Sequence, residues 1–343
     1  MSRLVSSQLQ TGGDVEQTLE QLRRLGRSAA ASYFEIAVHC GRGGPERCVE
    51  PLSSLAADET ANAEQIAGAV ERLVRAGGGH LLEDALAPIP PNRLRGEAAR
   101  GWVQYWARQN EWDRALEITL ALAGTETWED AMSSYISELG IAGESKRLKR
   151  LLSDFDGEFH PSPRLWSNVT RAYVALREPR SAINWAKDWE ARDDLTPNDL
   201  LPVAEALRDH HRRDDACEVS AKAIELRPSQ RDPRHDVWLA AELLAQGSLD
   251  SAYARLSWVG DQELPPMYDQ LRELAWATFH AHGMKPEAAL EQAKPIFTKY
   301  RHSENQSRPG FAFMYWSFAG SLGKRCGWLR AWRWKRELKR FRS

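Results

Sequence analysis

The chain has 343 residues, of which 42% are hydrophobic and 27% charged, and its formal net charge is −2. These values are typical of a soluble globular protein. The longest apolar stretch, Phe311 to Leu322, is too short to cross a bilayer, and residues 1–14 have no apolar core of secretory length. The four cysteines form no CxxC pair, which is typical of reduced thiols. We therefore expect a cytoplasmic protein.

Residues 14–90 are predicted to be helical but show no clear repeat, and residues 1–12 are predicted to be loose. Amphipathic patterns predict helices over Val15 to Leu25, Ala29 to His39 and Ala63 to Arg75. Three glycines, Gly77 to Gly79, interrupt this pattern, and a proline-rich stretch over 87–91 precedes the more regular region. We interpret residues 1–90 as an N-terminal helical extension or as divergent capping repeats.

Residues 91–303 are predicted to form about six pairs of helices. β-strand signals are almost absent, because no stretch combines strict alternation with Val, Ile and Thr enrichment. Apolar residues instead recur at helical spacing between short Gly, Pro, Asp or Asn breaks. The predicted pairs are 95–109 with 111–123, 127–138 with 143–154, 162–176 with 179–191, 197–210 with 213–226, 233–246 with 248–258, and 266–282 with 285–299.

These pairs repeat with a period of about 34 residues. Two first helices read Trp128-x2-Ala131-Met132-x2-Tyr135 and Trp166-x2-Val169-Thr170-x2-Tyr173, and a third has Leu200, Val203, Ala204 and Leu207 at the same spacing. A small residue falls early in most second helices, at Ala115, Ala182, Ala216, Ala252 and Ala288. In this pattern the chain resembles the tetratricopeptide repeat family. The resemblance implies an all-α, right-handed superhelical solenoid of antiparallel helix pairs.

The resemblance also implies a binding surface on the concave face of the first helices. That face would hold a peptide or a helix of a partner protein. The face is predicted to be mixed and charged at first and to become apolar in the fifth unit, at Val237, Ala241 and Leu244. The alternative for each residue is a solvated helix face without a ligand. The predicted groove residues are Arg100, Gln104, Arg108, Glu129, Arg164, Arg171, Glu205 and Arg208.

Two more specific ligands fit the groove less well. Some family members hold a partner's C-terminal carboxylate, but the acids Glu129 and Asp130 would repel it. The RNA-binding pentatricopeptide family has a nearly identical period. Its base-reading positions would fall here on Glu129, Ser167 and Leu201, which form no code. The formal charge of about −10 over residues 1–323 also opposes phosphate binding.

Residues 304–343 are predicted to be C-terminal capping helices that end in a basic tail rich in Trp and Arg. Residues 324–343 carry nine Lys and Arg against one acid, a local charge of +8. Three interpretations remain open: a cap on the repeats, a contact with an anionic membrane surface, and a site for nucleic acid or an acidic protein. The predicted contact residues are Trp328, Arg330, Trp332, Arg333 and Arg336.

The sequence predicts no catalytic residue, metal or cofactor. There is no phosphate-binding glycine motif and no nucleophile elbow. His210-His211 is interpreted as a solvated turn, and His39, Cys40 and Cys48 lack a fourth ligand at metal-binding spacing. We therefore predict a non-catalytic protein–protein interaction scaffold or adaptor. The alternative is a peripheral membrane or nucleic-acid adaptor that acts through the basic C-terminal helix.

Overall fold

The structure is a computed structural model that describes residues 15–210, 212–226 and 231–282, together with the single positions 288, 291 and 295. Contacts between residues divide the chain into two compact units, Met1–Leu176 and Arg177–Ser343. In the described part of the chain every regular element is helical. No described helix is long and apolar enough to span a membrane.

The first unit contains ten described α-helices and two short 3₁₀ turns, Pro45–Cys48 and Gly79–Leu81. The helices are α1 (Val15–Arg24), α2 (Ser28–Gly41), α3 (Val49–Ala57), α4 (Ala63–Arg75), α5 (Leu82–Leu86), α6 (Gly96–Arg108), α7 (Trp112–Ala121), α8 (Trp128–Ala142), α9 (Ser145–Phe159) and α10 (Pro163–Ala175).

One row of first helices runs through this unit. Helices α2, α4, α6, α8 and α10 each contact the next member of the row. Helices α3, α5, α7 and α9 follow the members of this row in the chain, and each of them contacts a helix of the row. Glycine allows two of the close approaches, because a Cβ on Gly101 would lie 2.5 Å from Val70 Cγ1 and one on Gly140 would lie 2.8 Å from Ala172 Cα.

The second unit contains six described helices in the same alternating order. They are α11 (Pro179–Trp185), α12 (Pro197–Asp209), α13 (Arg213–Leu226), α14 (Pro233–Gln246), α15 (Leu249–Val259) and α16 (Pro266–Ala281). Helix α12 packs on α13, α14 packs on α15, and α16 contacts both α14 and α15. Ala216, Ala223 and Ala252 are fully buried where these helices meet.

Local signals explain where the helices begin. The Asn62 side chain accepts a hydrogen bond from the Gln65 backbone at 2.8 Å, while the Gln65 side chain accepts one from the Asn62 backbone at 3.1 Å. This capping box satisfies two backbone donors at the start of α4. Helix α10 begins similarly, with the Ser162 hydroxyl accepting from Leu165 N at 3.2 Å and proline in the first turn.

The predicted all-α fold of paired helices is confirmed. Eleven predicted helices between 95 and 282 are present, with bounds close to those expected. The prediction for the second helix of the third pair was too long, because α11 ends at Trp185 and residues 186–191 form turns. Helices α3 and α5 were not predicted. They are short, and each continues directly from a 3₁₀ turn, so neither gives a long amphipathic pattern.

The core residues agree largely with the repeat pattern. Trp166, Met132 and Leu200 of the first helices are fully buried, as are Ala115, Ala182, Ala216 and Ala252 of the second helices. Ala288 is an exception, since it is exposed. The domain bounds at 90 and 303 stay predictions. Two further predictions lie outside the described residues. One is the second helix over 285–299, apart from positions 288, 291 and 295. The other is the set of tail residues Trp328, Arg330, Trp332, Arg333 and Arg336.

Candidate functional site

A trough of about 480 Å³ lies between the first helices α4 and α6 of the first unit. We call it the α4–α6 trough. Three of the predicted groove residues, Arg100, Gln104 and Arg108, are among the side chains that line it. The full lining is Ala67, Val70, Glu71, Val74 and Arg75 from α4, with Glu97, Arg100, Gly101, Gln104, Tyr105, Arg108 and Gln109 from α6 and its C-terminal end.

The floor of the trough is apolar. Val70 is buried beneath it, whereas Val74 is 38% exposed. The Tyr105 ring is half-buried and packs so closely on Gly79 that any side chain at position 79 would clash with it. Since Gly101 has no side chain, the two helices approach each other and leave a shallow apolar strip open to solvent. Such a strip can take an aliphatic side chain of a ligand.

Charged side chains form the rim of the trough. On the α6 side, the Arg100 guanidinium donates to Glu97 at 2.7 Å. On the α4 side, Arg75 donates to Glu71 at 2.6 Å, and both side chains are mostly exposed. The rim therefore carries both signs of charge on exposed or half-exposed groups, which can exchange these local partners for charges on a ligand.

A line of polar contacts joins α6, α8 and α10 within the first unit. Gln104 donates to the Ser134 hydroxyl at 3.4 Å, and Arg108 donates to the Glu138 carboxylate at 2.9 Å. Further along the row, Arg164 of α10 forms an ion pair with Asp130 of α8. Three of the predicted groove residues therefore also bind the neighbouring first helix, and these contacts hold the row in register.

The remaining predicted groove residues have varied surroundings. In the first unit Glu129 is half-buried at the start of α8, and Arg171 donates to Ser167 of its own helix at 3.5 Å. In the second unit the Glu205 carboxylate accepts a hydrogen bond of 2.6 Å from the Tyr268 hydroxyl. Burial, followed by the nearby Glu205 charge, raises the pKa of Tyr268, so this phenol stays protonated and acts as the donor.

Arg208 does not lie on an open surface, because only 8% of it is exposed. Its guanidinium lies 4.1 Å from the centre of the Trp238 ring and donates to the Ser220 hydroxyl at 3.0 Å. Burial lowers the pKa of Arg208, and the neighbouring charge of Glu205 partly offsets this effect. Arg208 therefore joins α12, α13 and α14 within the second unit.

The apolar surface predicted for the fifth unit is not present. Val237, Ala241 and Leu244 are 0%, 4% and 1% exposed. They lie inside the second unit because α14 is covered by α13, α15 and α16. A fixed spacing along a helix cannot show how many neighbours surround that helix, so the prediction mistook core positions for a binding face.

His235 is a buried polar residue of α14. It is 0% exposed, and its Nε2 lies 2.7 Å from the Pro197 carbonyl oxygen of α12. Burial lowers the pKa of His235 to about 4, with the positive charge of Arg208 adding to the effect. The ring is therefore neutral near pH 7 and donates its Nε2 proton to Pro197.

Sequence reasoning missed the α4 side of the trough, since it assigned residues 1–90 to an extension without a binding role. The available signal was the Asn62-x2-Gln65 capping box followed by an amphipathic helix. Within the described residues, no three His, Cys, Asp or Glu side chains lie close enough together to hold a metal ion. The contact between Val70 and Gly101 could not be read from local patterns, because it joins residues 31 positions apart.

Comparison with known proteins places few limits on this chain. Its sequence matches no known family and no curated protein. One similar solved structure is a chain of the APC/C hetero-tetramer Cut9–Hcn1, at 13% identity and a TM-score of 0.42. The match covers 87% of the present chain and 64% of that chain. The all-α fold of paired helices is therefore established by the described helices and not by this match.

Proposed function

We propose that this protein is a non-catalytic interaction scaffold and that it binds a peptide or helical segment of a partner protein in the α4–α6 trough. The observation that carries the proposal is the trough itself, which combines an apolar floor with a rim of both charges. Ligand sites on proteins commonly pair such an apolar surface with a few polar groups that fix orientation. A row of stacked first helices commonly offers a continuous binding surface of this kind.

The partner segment should carry one aliphatic or aromatic side chain for the strip between Val74 and Tyr105. It should also carry a carboxylate or an amide next to that side chain. Arg100 and Gln104 stand on one rim and can donate to such groups, while Glu71 on the other rim favours a basic residue.

A peptide-display selection against the full-length protein tests this proposal. Enriched peptides are then measured against the wild type, Val74→Asp and Leu120→Asp. Val74 lies in the trough at 38% exposure, and Leu120 lies on α7 at a matched 37%, so the two substitutions cost similar stability. We expect Val74→Asp to weaken binding by about tenfold or more and Leu120→Asp to leave it unchanged. Equal binding to both variants, or no enriched peptide, would refute the proposal.

A second candidate function rests on the composition of the tail. Nine Lys and Arg within residues 324–343, interspersed with tryptophans, suit an anionic membrane surface or nucleic acid. In that case the helix pairs would serve as a connector. This candidate is separable from the first, because deletion of 324–343 removes no residue of the trough.

A further inference from the structure

Cys40 and Cys48 lie close together at the edge of the first unit. Their sulfur atoms are 3.6 Å apart, and no disulfide joins them in this structure. Cys40 occupies the last turn of α2, and Cys48 ends the 3₁₀ turn that precedes α3. A disulfide requires a sulfur–sulfur distance of about 2 Å, so the two side chains need to approach by less than 2 Å.

The chain between the two cysteines can accommodate this movement. It reverses direction through Gly43, which has a φ of +73°, and Gly44. Neither glycine carries a side chain that would resist a small shift, and a Cβ at position 43 would meet no atom within 4 Å. Cys48 is fully buried and also directs its thiol toward the Ile36 carbonyl oxygen at 3.8 Å, whereas Cys40 is half-buried.

We propose that Cys40 and Cys48 form a reversible intrachain disulfide when the protein is exposed to a peroxide. The half-buried Cys40 reacts first: its sulfur takes one oxygen atom from the peroxide and becomes a sulfenic acid, and for hydrogen peroxide a water molecule leaves. The Cys48 sulfur then attacks the Cys40 sulfur, and the hydroxyl group departs with the Cys48 proton as a second water. Two thiols are oxidised by two electrons in all, and the peroxide is reduced.

The surroundings of the pair set the order and the speed of these steps. Burial raises the pKa of the Cys40 thiol and, together with the neighbouring Cys40, raises that of Cys48 to about 12. Since the thiolate is the reactive form, the first step is slow near neutral pH and becomes faster as the pH rises. The second step also needs the Cys48 thiolate and becomes faster as the pH rises, but it joins adjacent sulfur atoms of one molecule, which favours it over reaction of Cys40 with more peroxide.

Treatment of the full-length protein with hydrogen peroxide, followed by alkylation and tryptic digestion without reductant, tests the proposal. Cleavage after Arg27, Arg42, Arg47 and Arg72 separates Cys40 and Cys48 into peptides 28–42 and 48–72. We expect these two peptides to appear joined, with a mass two hydrogens below their sum. Dithiothreitol should separate them. Cys217, which is half-buried on α13 in the second unit, serves as an internal control outside the Cys40–Cys48 pair.

The variant Cys48→Ser supplies the matched control. Without Cys48, the Cys40 sulfenic acid should persist and be trapped by dimedone, whereas in the wild type the disulfide forms first. Equal dimedone labelling of Cys40 in both proteins would overturn the proposal, as would linkage of Cys40 to another cysteine. Oxidation of Cys217 with Cys40 and Cys48 both unchanged would overturn it too. None of these outcomes depends on ligand binding in the α4–α6 trough.

Discussion

Arg108 of α6 holds the buried Glu138 of α8 with two of its nitrogen atoms. Nε and Nη2 donate to the same carboxylate oxygen at 3.2 and 2.9 Å. The Arg108 side chain is 64% exposed, but that of Glu138 is only 7% exposed. The pair therefore joins an exposed side chain of the trough lining to a carboxylate inside the row of first helices.

Replacement of Arg108 should cost more stability than replacement of an arginine whose partner carboxylate is exposed. Arg108→Met leaves the Glu138 carboxylate buried without its charged donor, so we expect a loss of about 1–2 kcal/mol in the free energy of unfolding. Arg75→Met is the matched control, because its partner Glu71 is 60% exposed and such surface pairs contribute about 0.5 kcal/mol. Urea denaturation of both variants provides the measurement. Equal losses in the two variants would mean that the Arg108–Glu138 pair contributes no more to stability than the exposed Arg75–Glu71 pair.

The stability of the second unit should depend on pH through His235. Its pKa is about 4 in the folded protein, below the ordinary value of 6.5. Protonation therefore favours the unfolded chain: the stabilisation is complete above pH 6.5 and is lost as the pH falls toward 4. We expect a loss of about 2 kcal/mol between pH 7 and pH 5.

Unfolding at pH 7 and pH 5 of the wild type and of His235→Gln measures this dependence. Glutamine can still donate to the Pro197 carbonyl but does not titrate, so its stability should change less between the two pH values. His280→Gln, at an exposed position on α16, is the control for the His-to-Gln substitution itself. An identical pH dependence in wild type and His235→Gln would contradict the assignment.

Two helical glycines should respond oppositely to alanine. A Cβ at Gly140 would lie 2.8 Å from Ala172 Cα, so Gly140→Ala must separate α8 from α10. We expect it to cost about 1–3 kcal/mol. A Cβ at Gly157 meets no atom within 4 Å; since Gly157 lies after the non-helical Phe155, near the end of α9, Gly157→Ala should gain at most about 0.5 kcal/mol from helix propensity. Thermal unfolding of the two variants gives the comparison, and a gain in both would show that α8 and α10 tolerate a wider spacing.

Substitutions in the basic tail, residues 324–343, should show whether it binds an anionic surface or caps the repeats. If it binds an anionic surface, Arg330→Glu, Arg333→Glu and Arg336→Glu together should reduce binding to phosphatidylserine vesicles or to duplex DNA by about a hundredfold or more. If it instead caps the repeats, Trp328→Ser with Trp332→Ser should lower the melting temperature while the charge reversals do not. Cosedimentation and calorimetry of the two variants distinguish these roles. Binding that persists after deletion of 324–343 would exclude the tail as the binding element.

The limits of sequence reasoning are clearest at particular residues. Arg100, Gln104 and Arg108 recur at helical spacing on α6, and all three line the α4–α6 trough. Arg208 and Leu244 were assigned to a binding face by the same spacing, yet both are buried. Their exposure depends on how α13, α15 and α16 pack around α12 and α14, and spacing within one helix carries no information about those neighbours.

The sequence by itself determined that the described chain is all-α and roughly where the eleven paired helices between 95 and 282 lie, although the ends of α8, α9 and α11 differ from those expected. These features follow from short-range physics: apolar periodicity, capping side chains and small residues at helix contacts. Only the tertiary structure decided that α4 joins α6 to form the trough, that Glu138 and His235 are buried, and that Cys40 meets Cys48. Those relationships depend on packing between separate helices, where a few ångströms determine whether a charge is solvated or a thiol finds its partner.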